Sequence, residues 1–155
     1  MKTRDNLEEG QHLRGGFERE IGAAAIAGIT PQEVQIMEKS YIGITKRISG
    51  DLRKLRQDIP DTMKAFSALA QAAGRDGAID KKTKELIALA IGIATRCDGC
   101  IGFHIEALVR LGATRQEVEE TLGMAVYMGG GPSLMYAADA IAAYEEFAQQ
   151  MNVAA

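Results

Sequence analysis

Three side chains suited to thiol and acid–base chemistry stand within eight residues of this chain, Cys97, Cys100 and His104 in the stretch "CDGCIGFH". They comprise both cysteines of the sequence and one of its two histidines. If a helix begins near Cys97, the cysteines are three residues apart, His104 follows four after Cys100, and all three project from one face. Cα atoms at that helical spacing lie about 5 Å apart, within the range a disulfide accepts. A helix N-terminus turns unpaired N–H groups and positive dipole toward the sulfurs, which favours thiolate over thiol. His104 adds a proton acceptor one turn from Cys100, and thiolate is the nucleophilic form.

Glu85 lies twelve residues before Cys97, in the apolar run "KELIALAIGIA". Two readings of it stand at this stage. If its helix packs antiparallel to the cysteine helix, Glu85 reaches His104 or the sulfurs and gains the partner that a buried carboxylate needs. At a solvent edge beside Lys81, Lys82 and Lys84 it is an ordinary surface charge.

The elements that must position these residues are helical. Residues 1–29 are Gly-rich and weakly periodic and are read as a short helix or arm; His12 lies there and receives no role. At "TPQE" Thr30 and Glu33 form a capping box with Pro31 at the first helical position. Val34, Met37, Tyr41, Ile44, Ile48, Leu52 and Leu55 follow at spacings of three and four, predicting one long amphipathic helix. Pro60 opens the next helix, which closes at Gly74. Asp80 caps "KKTKELIALAIGIAT", the cysteine helix runs to Gly112, and Thr114 with Glu117 forms a second capping box. The run "GGGPS", Gly129 to Ser133, lacks the Gly-Lys-Ser/Thr ending and preceding strand of a phosphate loop, and is read as a helix break. Nothing alternates with period two, so the expectation is an all-α chain of about six to seven helices. Residues 1–55 are assigned to an arm and an oligomerising helix, and 56–155 to the core that carries the cysteines.

Composition agrees with a globular chain of 155 residues, 46% hydrophobic and 25% charged. A net charge of −3 without a basic block argues against nucleic acid. The run "LIALAIGIA" is too short to span a bilayer, and the charged start does not look like a secretory signal, so the expected location is the cytoplasm. There a CxxC pair reads as catalytic or metal-binding.

The segment "KELIALAIGIATRCDGCIGFHIEALVRLGATRQEVEETL" resembles the carboxymuconolactone decarboxylase superfamily, in particular its alkylhydroperoxidase AhpD-like branch. The motif there is a Glu, eleven residues, CxxC, three residues and His, matched by Glu85, Cys97, Cys100 and His104. The resemblance covers about Pro60 to Tyr144. It implies an all-helical fold, a homo-oligomer (trimer or hexamer) and reduction of a hydroperoxide without metal or organic cofactor. Cys100 would be the attacking thiolate, Cys97 the resolving thiol, and His104 with Glu85 the proton relay. An external dithiol, thioredoxin-like or lipoyl, would restore the thiols. The sequence departs from AhpD at Gly99, where AhpD has a second His immediately before the second Cys.

Three other readings compete. Two cysteines and His104, with Glu85 as a fourth ligand, would make a zinc site, but three of these ligands share one helix and are cramped for a tetrahedral ion. The lactone decarboxylation of the wider superfamily would not need the cysteine pair. A non-enzymatic helical oligomerisation module would leave the cluster inert.

Overall fold

The computed structural model of the chain describes residues 39–153. The expected N-terminal arm, the capping box of Thr30 and Glu33, and His12 lie outside the described residues. Among the described residues there are five helices and no strand: α1 (Tyr41–Asp58), α2 (Pro60–Ala73), α3 (Lys81–Ala94), α4 (Asp98–Arg110) and α5 (Arg115–Val153). The all-α expectation holds, with fewer helices than the sequence predicts. No helix among them is long and apolar enough to cross a membrane.

The long first helix is corrected. Lys39 and Ser40 are not helical, and α1 starts at Tyr41. Ser40 is extended (φ −94°, ψ 121°) and its Oγ accepts the Gly43 N–H at 3.0 Å. Glu146, from the last helix, accepts the Tyr41 N–H at 2.7 Å and the Ile42 N–H at 3.3 Å. First-turn donors that would otherwise bond to a preceding turn are thus taken by a cap and a distant carboxylate. Apolar spacing across residues 34–44 cannot register such an interruption.

The other boundaries follow their local chemistry. Pro60 occupies the first turn of α2, where its missing N–H costs nothing. Asp80 caps α3 by accepting the Thr83 N–H at 3.0 Å and the Thr83 hydroxyl at 2.7 Å. Gly112, at φ 70°, closes α4 in a left-handed conformation that costs a glycine little. Thr114 and Glu117 form the expected box: Glu117 Oε2 accepts the Thr114 N–H at 2.7 Å, and Thr114 Oγ1 accepts the Glu117 N–H at 3.2 Å. The glycine run breaks α5 as expected. Gly130 has φ 65° and ψ −154°, and Pro132 sits just beyond.

Helices α3, α4 and α5 pack on one another, and α1 lies across α4 and α5. Leu89 and Ile93 of α3, Ile101, Ile105 and Leu108 of α4, and Val118 of α5 have no exposed surface. Full burial of each such side chain stabilises the fold by about 1.5–3 kcal/mol. The Lys82 ammonium ties α3 to α5 by donating to Glu117 Oε1 at 2.6 Å. That contact, with the Thr114 N–H, holds the Glu117 carboxyl below the usual carboxylate range. Its stabilising contribution is therefore present above the unfolded-state pKa and is lost as pH falls through the lower folded value.

Contact between α1 and α4 requires Gly102. A Cβ there would stand 2.7 Å from Thr45 Cγ2 and 3.3 Å from Tyr41 Cδ1, and both Thr45 and Tyr41 are buried. Overpacking costs about 1–3 kcal/mol, against about 1 kcal/mol gained from replacing a helical glycine by alanine. Gly102→Ala is expected to lower the urea midpoint. In a Thr45→Ser background, which lacks the obstructing methyl, the same change should be neutral or stabilising.

Candidate functional site

Helices α3 and α4 are joined by three residues, Thr95, Arg96 and Cys97. Arg96 adopts a left-handed φ of 58°, uncommon for a residue with a side chain. The Cys97 N–H donates to Gly92 O at 3.0 Å, so the chain doubles back tightly and the two helices run antiparallel. Gly92 makes the close approach possible, since a Cβ there would lie 3.2 Å from Cys100 Cβ.

This reversal places all four residues singled out by the sequence. Cys97 is the N-cap of α4 and its Sγ accepts the Cys100 N–H at 3.2 Å. Cys100 is the third residue of the helix. The two are joined as a disulfide with their Cα atoms 5.2 Å apart, as the helical spacing predicts. One turn on, His104 Nδ1 lies 2.7 Å from Glu85 Oε2. The Glu85 side chain is only 19% exposed and that of His104 33%, so Glu85 is a paired, largely covered carboxylate rather than a solvent-edge charge. Two of the lysines beside it in sequence turn elsewhere, Lys82 to Glu117 and Lys84 to the Arg75 carbonyl at 2.5 Å.

A carboxylate at Nδ1 orients the imidazole and fixes its tautomer, leaving Nε2 as the exchangeable position. The arrangement therefore combines a dithiol–disulfide couple with an oriented acid–base group on the same helix. Beside Glu85 lies a cleft of about 590 Å³, lined also by Ala70, Gln71, Gly74, Arg75, Asp76 and Lys81. For the zinc alternative, no group of three His, Cys, Asp or Glu side chains able to hold a metal occurs among the described residues.

Two features escaped the sequence reading. Tyr41, buried at 1% exposure, sends its hydroxyl toward Asp98 Oδ1 at 3.3 Å and Asp139 Oδ2 at 3.4 Å. Asp98 is the residue after Cys97, so Tyr41 ties α1 both to the start of α4 and to α5. The second is the role of Gly99, where a Cβ would stand 2.9 Å from Ile48 Cδ1. The end of the Ile48 side chain, from α1, would have to shift to admit a side chain at this position. The signal in sequence was Gly99 and Gly102, three apart on one helix face, which marks a close neighbour.

Residues 60–143 match the carboxymuconolactone decarboxylase family. This chain belongs to that family. A solved apo structure of a family member from Legionella pneumophila is 63% identical, covers 70% of this chain and 96% of its own, and superposes with a TM-score of 0.69. A family protein from Thermotoga maritima, described as a candidate for involvement in antioxidative response, is 34% identical over 61% of this chain and 96% of its own, with a TM-score of 0.56. An uncharacterised protein of Cupriavidus necator is 41% identical over 91 residues, 59% of this chain and 80% of that protein. The match begins with α2 and runs through the turn that carries Cys97, Cys100 and His104, so the site lies wholly within the family's part of the chain.

The Cα separation of 5.2 Å in the closed pair matches ordinary helical spacing, so the pair should open and close with little backbone movement. Starting from reduced protein, one equivalent of peroxide is expected to remove two protons' mass from a single chain. Dithiothreitol should restore it, as read by intact-mass spectrometry. Thiols that persist under stoichiometric peroxide contradict this.

Proposed function

We propose that this chain is a thiol-dependent peroxidase and disulfide oxidoreductase of the AhpD-like kind, reducing hydroperoxides through Cys97 and Cys100. The observation that carries the reading is the 2.7 Å contact between His104 Nδ1 and Glu85 Oε2, one turn from the cysteine pair. The resemblance of the Glu–CxxC–His motif to alkylhydroperoxidases supports it, as does the antioxidative description of the Thermotoga relative.

In the proposed cycle the Cys100 thiolate attacks a peroxide oxygen. An S–O bond forms, the O–O bond breaks, and the leaving alkoxide takes a proton from His104 or from a water it orients. Cys100 is oxidised to a sulfenic acid and the peroxide is reduced to an alcohol. Cys97 attacks that sulfur, the S–S bond forms, and hydroxide leaves as water once protonated. An external dithiol, thioredoxin-like or lipoyl, then reduces the disulfide by two thiol–disulfide exchanges and carries away both electrons. A reducing compartment such as the cytoplasm suits that return step. Glu85 acts on His104, holding its tautomer and its ring orientation.

The two cysteines are predicted to differ. Cys100→Ser should abolish turnover, whereas Cys97→Ser should complete one half-reaction and accumulate a sulfenic acid at Cys100, detected by a dimedone-type trap. Sulfenic acid at Cys97 in Cys100→Ser protein reverses the assignment.

Glu85→Gln keeps shape and hydrogen-bonding capacity but removes the charge facing His104. Peroxide reduction is expected to fall by roughly ten- to a thousandfold. A wild-type rate in this variant would remove Glu85 from the mechanism.

A further inference from the structure

Helices α3 and α4 end in the same way. At the close of α4 the Gly112 N–H donates to Val109 O at 3.1 Å and the Ala113 N–H to Leu108 O at 2.9 Å, around a left-handed glycine of φ 70°. At the close of α3 the Arg96 N–H donates to Ile93 O at 3.1 Å and the Cys97 N–H to Gly92 O at 3.0 Å, around a left-handed arginine of φ 58°. The two pairs of bonds span the same intervals. Glycine is usual at the central position, where a side chain costs conformational energy. The chain meets that demand with glycine after α4 and with arginine before Cys97.

The Arg96 side chain contributes no contact that would offset this cost. It is exposed, and among the described residues its guanidinium has no hydrogen-bond or ion-pair partner. Asp98, the acid nearest in sequence, receives the Tyr41 hydroxyl at 3.3 Å. A strained residue whose side chain supports nothing in the fold points to a functional demand. Its place is beside the disulfide, one residue before Cys97.

Opening that disulfide takes an incoming thiolate, so negative charge arrives at the sulfurs. An exposed cation beside them favours a reagent that carries more of it. We infer that Arg96 selects the reductant, its guanidinium receiving the carboxylate of an acidic thiol that attacks the Cys97–Cys100 disulfide. The thiolate bonds to Cys97 Sγ, the S–S bond breaks, and Cys100 leaves as a thiolate. A second such thiol attacks the mixed disulfide and frees Cys97. The reductant ends as its own disulfide, two electrons pass to the pair, and the two thiol protons are left for the cysteine sulfurs. The inference rests on the proposed cycle for its place in turnover, although the opening itself needs no peroxide.

The test mixes the oxidised full chain with mercaptopropionate or with mercaptoethanol, in the absence of peroxide, and follows the freed thiols by alkylation and intact mass. Comparing the ratio of the two rates between proteins cancels the intrinsic reactivities of the reagents. Arg96→Asn keeps a residue that accepts a left-handed backbone and should lower the ratio roughly two- to fivefold. Arg96→Lys should retain most of it, and about 1 M KCl should remove the difference between wild type and Arg96→Asn. Arg96→Gly should lower the ratio likewise, with the urea midpoint held or raised. Equal ratios in wild type and Arg96→Asn at low salt overturn the inference. So does a lowered midpoint in Arg96→Gly, which would make the arginine a support of the fold. A chain that shows the charge preference but consumes no peroxide supports the role of Arg96 and contradicts the peroxidase cycle.

Discussion

The backbone of α3 and the first turn of α4 meet at Gly92 and Cys100, and the other features of the site follow from that approach. A methyl on residue 92 would press on the Cβ of the second cysteine. Because it is absent, the Cys97 N–H reaches the Gly92 carbonyl, Arg96 completes a left-handed reversal, and α4 starts within three residues of the end of α3. The return is so short that residues far apart in sequence fall level. Glu85, near the beginning of α3, comes opposite His104, near the middle of α4. The carboxylate is held by the register of a helical hairpin, whose packed face of Leu89, Ile93, Ile101 and Ile105 resists sliding.

Helix α1 supplies the second constraint. It rests on α4 through glycines, with Thr45 and Tyr41 against Gly102 and Ile48 over Gly99. Its own start is fixed by Glu146 of α5, which takes two first-turn amide protons and the Ser40 hydroxyl. The cysteine turn is thus enclosed from three sides, by α3, α1 and the Tyr41–Asp98–Asp139 contacts that reach α5. A polar cleft lies beside Glu85.

Much of this was legible in the residues because the deciding interactions are local. Asp80, the Thr114–Glu117 box, Pro60 and Gly112 each act within a few positions of the boundary they set, and the predicted boundaries match. The one-face placement of Cys97, Cys100 and His104 needed only helical spacing. Glu85 remained ambiguous because its partner lies nineteen residues away, and nothing local distinguishes a buried carboxylate from a surface one. The start of α1 was misread for the same reason. Its first-turn acceptor is Glu146, more than a hundred residues distant, while apolar spacing runs unbroken through Ser40. Gly99 was read against a family pattern as a missing histidine, whereas its neighbour in space is Ile48.

A sulfur atom, rather than a serine or aspartate oxygen, caps α4. An oxygen cap has one strength at a given pH, but the Cys97 cap changes with the number of electrons stored in the pair. Once the disulfide opens, that sulfur becomes a free thiol that can ionise to a charged acceptor, and charge-assisted hydrogen bonds are roughly twice as strong as neutral ones. As half of a disulfide it is a weak, neutral acceptor. The amide proton of Cys100 is therefore a gauge wired into the backbone. Its chemical shift and exchange rate would differ between the open and the closed pair while no probe touches either sulfur.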